Sequence, residues 1–157
     1  MIKLLRIDDR LIHGQVAFAW TKYLGVNCIL VANDVVVNDE LKKMMLNLAK
    51  PPGVKLLLLS VTDAVSFLNS EESEKYSSFV LVDKASDALA LCQGVKGISA
   101  VNVGGMRMSE GKRMISPAVA VNEADILTFD QIVSIGVEVE VRQVPTEKKK
   151  TITELIG

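Results

Sequence analysis

The sequence predicts an α/β fold: an open, twisted and mostly parallel sheet of about six to seven strands with helices on both faces. Short apolar runs rich in Val, Leu and Ile recur along the chain, and such runs are typical of strands covered on both faces. Amphipathic stretches lie between most of these runs, so that strand and helix alternate about six times. That alternation indicates a layered domain built on a parallel sheet.

Seven apolar runs are predicted to be buried strands because each is short and rich in β-branched or other apolar residues. The predicted strands are Ile2–Ile7, Cys28–Ala32, Val54–Ser60, Phe79–Val82, Ile98–Val103, Ala118–Val121 and Val137–Val141. Because aromatic residues are few, the core is expected to consist mainly of Val, Leu, Ile, Ala and Met.

Helix boundaries are predicted from residues that cap helix ends: Asn, Ser and Thr before the first turn and Gly after the last. The predicted helices are Gln15–Leu24 before Gly25, Asp39–Lys50 after Asn38, Asp63–Leu68 after Thr62, Asp87–Cys92 after Ser86, and Glu123–Ile135 between Asn122 and Gly136. A last short helix is expected within Thr146–Gly157, with Lys148, Lys149 and Lys150 facing water.

Length and composition exclude several classes of protein. The chain of 157 residues suits one domain, 1–157, and shows no linker or repeat. A net charge of −1 gives no strong field to attract nucleic acid. With Cys28 and Cys92 far apart and one histidine in the chain, no metal site is predicted, and no cofactor is expected. No apolar run approaches the roughly 20 residues that span a bilayer, and no signal segment is present, so the prediction is a cytoplasmic protein.

The only histidine, His13, follows the first predicted strand and precedes the first predicted helix. In open α/β sheets, ligands bind beyond the carboxyl ends of the strands, so this loop is where a site is expected. Gly14 allows the backbone to approach a ligand closely, and the free N–H groups at a helix start favour an anion. Arg10 adds a planar fork that suits phosphate oxygens.

Together these residues suit phosphoryl transfer to the imidazole. A neutral imidazole, with an ordinary pKa of about 6.5, is a competent nucleophile near neutral pH. The added negative charge needs prearranged donors, which Arg10 and the amides of Gly14 and Gln15 can provide. Asp8 or Asp9 could orient Arg10 or the imidazole, but neither carboxylate suits direct contact with phosphate, because like charges repel.

The residues alone leave other interpretations open. A single loop histidine is often only a polar surface residue. The same loop could hold a phosphate or phosphosugar without covalent chemistry, as a binding or regulatory module does. A hydrolase with His13 as general base is also conceivable, although no second nucleophile motif is visible. Gly104 and Gly105, after a predicted strand, could form a plain turn or a loop beside His13 that serves phosphate or partner docking.

The segment Arg6–Val16 resembles the active-site signature of the IIB subunits of the mannose/fructose/sorbose family of the bacterial phosphoenolpyruvate-dependent sugar phosphotransferase system. The signature is highly specific, and this sequence does not depart from it at the functional positions. The length of the chain, its strand–helix alternation and the stretch Asn102–Met106 are also similar to that family. The resemblance therefore covers the whole chain.

The resemblance implies roles for individual residues and partners. His13 is expected to accept a phosphoryl group on Nδ1 from a phosphohistidine of the IIA subunit, and Arg10 to bind that group. Asp8 is expected to orient the site, and Gly14 and Gln15 to bind phosphate. The sugar receives the phosphoryl group during uptake through the membrane IIC and IID subunits, which would recruit the chain to the inner face of the membrane. A homodimer is compatible with the resemblance.

Overall fold

The computed structural model describes all 157 residues and contains a seven-stranded sheet in the order β3-β2-β4-β1-β5-β8-β9. All neighbours in this sheet are parallel except β8 and β9, which pair antiparallel. The strands of the sheet are β1 Ile2–Asp8, β2 Cys28–Ala32, β3 Lys55–Leu59, β4 Ser78–Val82, β5 Ala100–Gly105, β8 Glu138–Val141 and β9 Lys150–Thr151. The predicted fold class is confirmed.

Six α-helices cover the two faces of the sheet, and none is long and apolar enough to cross a membrane. They are α1 Gly14–Leu24, α2 Glu40–Ala49, α3 Val61–Leu68, α4 Ala85–Gly94, α5 Glu123–Ser134 and α6 Ile152–Ile156, with 3-10 turns at Val36–Asn38 and Glu71–Lys75. Helices α1 and α2 pack into a cluster of 12 buried residues on one face, and α3 to α6 into a cluster of 23 on the other. Because both faces are covered, β2 and β4 are buried along their whole length.

The predicted strand Ala118–Val121 is not part of the main sheet. Its residues Val119–Val121 form β7, which pairs antiparallel with β6, Arg113–Ser116, in a separate two-stranded sheet. Met106, which follows β5, exchanges backbone hydrogen bonds with Ala118 and Ala120. The hairpin therefore extends beyond the carboxyl end of β5, and its pairing with β6 depends on a turn that the apolar pattern does not reveal.

Helix α1 begins one residue before its predicted start, and three predicted cap residues are displaced by one to two residues. Asp39, rather than Asn38, accepts a hydrogen bond from the first turn of α2, and Ser60, rather than Thr62, does so in α3. Helix α4 begins after Lys84, which provides no side-chain cap. By contrast, Asn122 caps α5 as predicted, and Gly25 closes α1 in the left-handed conformation with φ 67°.

The end of the chain is helical over a shorter segment than predicted. Lys150 and Thr151 pair with β8 as β9, and only Ile152–Ile156 forms a helix. The Thr151 side chain accepts a hydrogen bond from the amide of Glu154, and the Glu154 side chain accepts one from the Thr151 amide, so the helix begins at this capping box. The three lysines of the run are exposed, as predicted.

The order of the strands places the end of β1 at the centre of the molecule. From β1 the chain crosses β4 to reach β2, whereas from β4 it crosses back over β1 to reach β5. The connections from these neighbouring strands therefore run in opposite directions. In open α/β sheets a ligand-binding crevice lies where the direction of connection changes, beyond the carboxyl ends of the strands.

Candidate functional site

The loop between β1 and α1 is held by backbone bonds and by two buried side chains. The amide of Leu11 donates to the carbonyl of Asp8, and the amide of Asp9 donates to the carbonyl of Gly105, both at 2.9 Å. Leu11 and Ile12 are inserted into the core beside α1, although Leu11 must adopt a left-handed backbone with φ 56° to do so. This arrangement fixes the start of α1, with His13 as the residue before its first turn.

The imidazole of His13 is bound through one ring nitrogen to a buried carboxylate. Nε2 lies 2.8 Å from Oδ2 of Asp8, whose side chain is 1% exposed, while the His13 side chain is 21% exposed. A carboxylate is only an acceptor, so this bond requires the proton on Nε2. The lone pair of the neutral ring then belongs to Nδ1, which makes no hydrogen bond within the protein.

The carboxylate of Asp8 accepts hydrogen bonds from three donors. Besides Nε2 of His13, Oδ2 accepts from Nη2 of Arg6 at 3.0 Å, and Oδ1 accepts from the backbone amide of Arg10 at 3.0 Å. A wholly buried carboxylate is costly unless it is paired and hydrogen-bonded, and here both oxygens are engaged. Asp8 is therefore a rigid and satisfied acceptor for the ring.

The guanidinium of Arg6 is the cationic partner of Asp8 and is itself 1% exposed. Nη1 donates to Oδ1 of Asn102 at 2.7 Å and to the backbone carbonyl of Arg142 at 3.1 Å. Burial lowers the pKa of Arg6, while the neighbouring carboxylates of Asp8 and Glu140 act in the opposite direction. Arginine is effectively always protonated in proteins, so the group stays charged.

A second buried ion pair lies next to Arg6. The guanidinium of Arg142 contacts both carboxylate oxygens of Glu140 at 3.0 Å, and Asn102 donates to Glu140 at 3.1 Å. The guanidinium carbons of Arg6 and Arg142 lie 5.4 and 5.1 Å from the centre of the Trp20 ring. The two cations and two carboxylates balance, so the interior behind His13 carries no net formal charge.

The other predicted site residues lie at the surface of the same loop. Arg10, Gly14 and Gln15 are exposed, and the Arg10 guanidinium makes no hydrogen bond or ion pair within the chain. Gly14 has φ 44°, which glycine tolerates readily, and open space surrounds its Cα. Arg10 and Asp9 line two open clefts of about 360 and 300 Å³. His13 therefore lies at the start of α1, on a loop that also carries an unpaired guanidinium.

Asp9 differs from Asp8 in its partners. Its Oδ2 accepts from the backbone amide of Arg107 at 2.8 Å and from Nε of the same residue at 3.1 Å. The structure thus separates the two candidates for an orienting role, because Asp8 contacts the imidazole and the Arg10 backbone whereas Asp9 ties the loop to the segment after β5.

Comparison with known proteins identifies the family. The family model described as "PTS system sorbose subfamily IIB component" matches residues 2–157. This chain belongs to that family. The IIB components of the phosphotransferase system, or PTS, take part in sugar phosphotransfer, and membership confirms the resemblance that the His13 signature indicated.

Individual relatives agree with this assignment. The chain is 36% identical to a sorbose-specific EIIB component of Klebsiella pneumoniae, covering 99% of this chain and 95% of the relative. It is 39% identical to the mannose-specific EIIAB component of Escherichia coli strain K12 over its full length, but spans only about half, 49%, of that longer relative. The crystal structure of the IIBSor domain of the sorbose permease from Klebsiella pneumoniae has a TM-score of 0.95 at 34% identity, covering 99% of this chain and 96% of that one.

Four functional-site neighbours in this IIB component were missed in the sequence: Arg6, Asn102, Glu140 and Arg142. From the sequence, Arg6, Asn102 and Glu140 are predicted only to lie in strands, and Arg6 and Asn102 also belong to the stretches that resemble the family. A signal is present, because a charged or amide side chain inside a buried strand needs a partner. Several of these partners lie on other strands, so their identity requires the strand order.

Gly104 and Gly105 are not a loop beside His13 but the last two residues of β5. Both are buried, and both leave room for side chains of β1. A Cβ added to Gly104 would stand 1.9 Å from Cζ of Arg6, and one added to Gly105 would stand 3.0 Å from Oδ1 of Asp8. The glycines are therefore required by the packing behind His13.

Proposed function

We propose that this IIB component is a phosphoryl carrier. It accepts a phosphoryl group from a phosphohistidine of a IIA subunit onto Nδ1 of His13 and transfers it to a sugar during uptake through membrane IIC and IID subunits. The observation that carries the proposal is the 2.8 Å contact between Nε2 of His13 and Asp8, which leaves Nδ1 as the nucleophile on a partly exposed ring.

In each of the two transfers, one bond to phosphorus forms as another breaks. The ring of His13 keeps the same proton throughout. The lone pair of Nδ1 forms a bond to phosphorus while the P–N bond of the donor breaks, and the donor nitrogen keeps that electron pair. Nε2–H stays bonded to Asp8, which stabilises the positive charge that the substituted ring acquires. In the second step the sugar hydroxyl attacks phosphorus and loses its proton to water, and the electron pair of the broken P–N bond returns to Nδ1.

Arg10, Gly14 and Gln15 stabilise the negative charge of the phosphoryl group. The Arg10 side chain is exposed and uncommitted, so it can bind two phosphoryl oxygens at once. The amides of Gly14 and Gln15 belong to the first turn of α1, where N–H groups have no partner within the helix. Because phosphoryl transfer depends mainly on positioning and charge stabilisation, these groups are sufficient for a carrier site.

The partners are proposed from the relatives. The Escherichia coli relative is named a mannose-specific EIIAB component, which joins an A part and a B part in one protein. A separate or linked IIA subunit is therefore the donor we propose, and the site of action is the cytoplasmic face of the membrane. The ring of His13 is partly exposed, so each partner can reach it from solvent in turn.

Phosphorylation by a IIA partner tests the proposal. The chain incubated with its phosphorylated IIA partner should gain one phosphoryl group by mass spectrometry, and the adduct should be acid-labile. Its ¹⁵N and ³¹P NMR signals should place phosphorus on Nδ1. His13→Ala should gain none, whereas Lys148→Ala, at an exposed position outside this loop, should react like the wild type. Phosphorylation of His13→Ala would contradict a carrier role, and so would binding of phosphate by the wild type without a covalent adduct.

A further inference from the structure

A ladder of buried polar side chains crosses three neighbouring strands behind the His13 loop. Arg6 of β1 is in register with Asn102 of β5, and Asn102 is in register with Glu140 of β8. None of the three is more than 2% exposed. Polar groups at the centre of a covered sheet cost free energy unless hydrogen-bonded, and each of these has partners. The ladder ends at Asp8, which contacts the ring of His13.

Strand β5 positions the Arg6 guanidinium through Gly104 and Asn102. Gly104 leaves the space that the guanidinium occupies, since a Cβ there would collide with Cζ at 1.9 Å. Asn102 holds Nη1 at 2.7 Å, and this turns Nη2 towards Asp8 at 3.0 Å. The planar fork of arginine makes both contacts at once, which a single ammonium group could not do with the same geometry.

Direct phosphoryl binding does not suit Arg6. Its terminal nitrogens already have partners within the protein, and its side chain is 1% exposed. Arg10, by contrast, is exposed and has no side-chain partner. The two arginines of the signature segment therefore have different environments, and only Arg6 acts through another residue.

We propose that Arg6, held by Asn102 and Gly104, is a positioning residue that keeps Asp8 an ionised acceptor and thereby keeps the proton of His13 on Nε2 and the lone pair on Nδ1. This inference deepens the proposed function and rests on His13 being the phosphoryl acceptor. Strand β5, which makes no hydrogen bond to the imidazole, would in this way determine which ring nitrogen reacts.

The physical reason is that the Arg6 cation affects the protonation of Asp8. Burial favours the neutral form of a carboxyl group, so an unpaired Asp8 would hold a proton or share one with the ring. A protonated Asp8 would donate to Nε2, and the ring proton would then lie on Nδ1. If the ring took the proton instead, both nitrogens would carry one. In each case Nδ1 loses its lone pair and cannot attack phosphorus.

The test measures the tautomer of the unphosphorylated chain. Because His13 is the only histidine, ¹⁵N-histidine labelling gives ring signals from this residue alone. The wild type should show protonated Nε2 and unprotonated Nδ1 near neutral pH. Arg6→Gln should show protonated Nδ1, and its phosphorylation rate should fall by up to roughly 10⁴-fold, the loss that a wrong histidine tautomer produces in a serine protease. Arg6→Lys, which retains the charge, should recover part of the wild-type tautomer.

Arg142→Gln is the matched control. Arg142 is also a buried guanidinium in an ion pair against the Trp20 ring, but its side chain does not contact Asp8. Its loss should disturb packing in a similar way and leave the tautomer of His13 unchanged. A wild-type tautomer in Arg6→Gln, or an equal shift in Arg142→Gln, would overturn the inference.

Gly104→Ala provides a second route to the same result. The added methyl group displaces the guanidinium without removing its charge, so protonated Nδ1 should again increase. If Arg6→Gln does not fold, this variant decides the question, and an unchanged tautomer would argue against Arg6. The proposed function fails separately, if the wild-type chain takes no phosphoryl group from its IIA partner, whatever tautomer the ring shows.

Discussion

At the scale of single residues, one carboxylate organises the candidate site. Asp8 accepts from the ring of His13, from the guanidinium of Arg6 and from the amide of Arg10, and these bonds are between 2.8 and 3.0 Å. Hydrogen bonds to charged groups are each worth about 1.5–3 kcal/mol, and leaving one partner buried and alone costs more. The same contacts that orient the imidazole therefore also stabilise the end of β1.

Asp8→Asn should impair both transfer and stability. An amide has one acceptor oxygen, so it cannot accept at both positions as the carboxylate does. Where its NH2 group replaces Oδ2, it faces the N–H of Arg6 and donates to Nε2 of His13, which places the ring proton on Nδ1. We expect phosphorylation by the IIA partner to slow by roughly 10²- to 10⁴-fold. We also expect the free energy of unfolding to fall by about 3–5 kcal/mol, because Arg6 loses its buried counter-charge. Rapid-quench transfer assays and urea titrations measure the two effects.

Asp9→Asn is the control for this substitution. Asp9 is adjacent in sequence, but its partner is Arg107, whose side chain is 72% exposed. An exposed pair of this kind contributes about 0–1 kcal/mol, and its loss leaves the imidazole contact intact. Equal losses of transfer rate in the two variants would contradict a specific role for Asp8.

At the scale of elements, the site depends on where α1 begins, and four of the six helices begin at a side-chain cap. Helix α5 has a reciprocal cap: Asn122 Oδ1 accepts from the amide of Asp125 at 2.8 Å, and the Asp125 carboxylate accepts from the amide of Asn122 at 3.1 Å. His13, at the equivalent position of α1, makes no such bond, since its ring is turned to Asp8. The amides at the start of α1 are left for an anion.

Asn122→Ala should lower the free energy of unfolding by about 1 kcal/mol, because the amide of Asp125 loses its acceptor. The shift of the urea midpoint measures the effect. Gln131→Ala, at an exposed position of the same helix, should change stability by less than about 0.5 kcal/mol and serves as the control. Neither variant should change the rate of phosphorylation of His13. A midpoint for Asn122→Ala equal to that of the control would show that the cap contributes nothing.

At the scale of the whole molecule, the covering of both sheet faces determines the chemistry of the two cysteines. Cys28 is wholly buried in β2, and Cys92 is partly buried on α4. Burial raises the pKa of both thiols, and that of Cys92 to about 11. Since the thiolate is the reactive form, a higher pKa means less thiolate near neutral pH.

Alkylation of the folded chain should therefore be slow. At about pH 8, where an ordinary thiol is partly ionised, iodoacetamide should modify Cys28 and Cys92 far more slowly than a cysteine-containing peptide. In urea concentrations that unfold the chain, both should react at the peptide's rate, as followed by mass spectrometry. Rapid modification of either thiol in the folded chain would contradict the burial that the structure shows.

Much of the fold follows from local patterns in the sequence. Apolar runs predicted every strand of the main sheet except the two-residue β9, and Gly25 and Asn122 marked helix ends correctly, because burial on both faces and capping act over a few residues. The position of His13 between the first strand and first helix, and the signature around it, predicted the family that the comparisons show.

Only the tertiary structure decided what lies behind His13. Arg6, Asn102 and Glu140 are distant in sequence and become neighbours because β1, β5 and β8 are adjacent in the sheet. Strand order depends on how helices pack on both faces, which no local pattern encodes. The same order explains Gly104 as space for a guanidinium rather than as a turn. The sequence by itself thus determined the fold class and the reactive histidine we propose, whereas the buried partners of Asp8 were decided by contacts between distant strands.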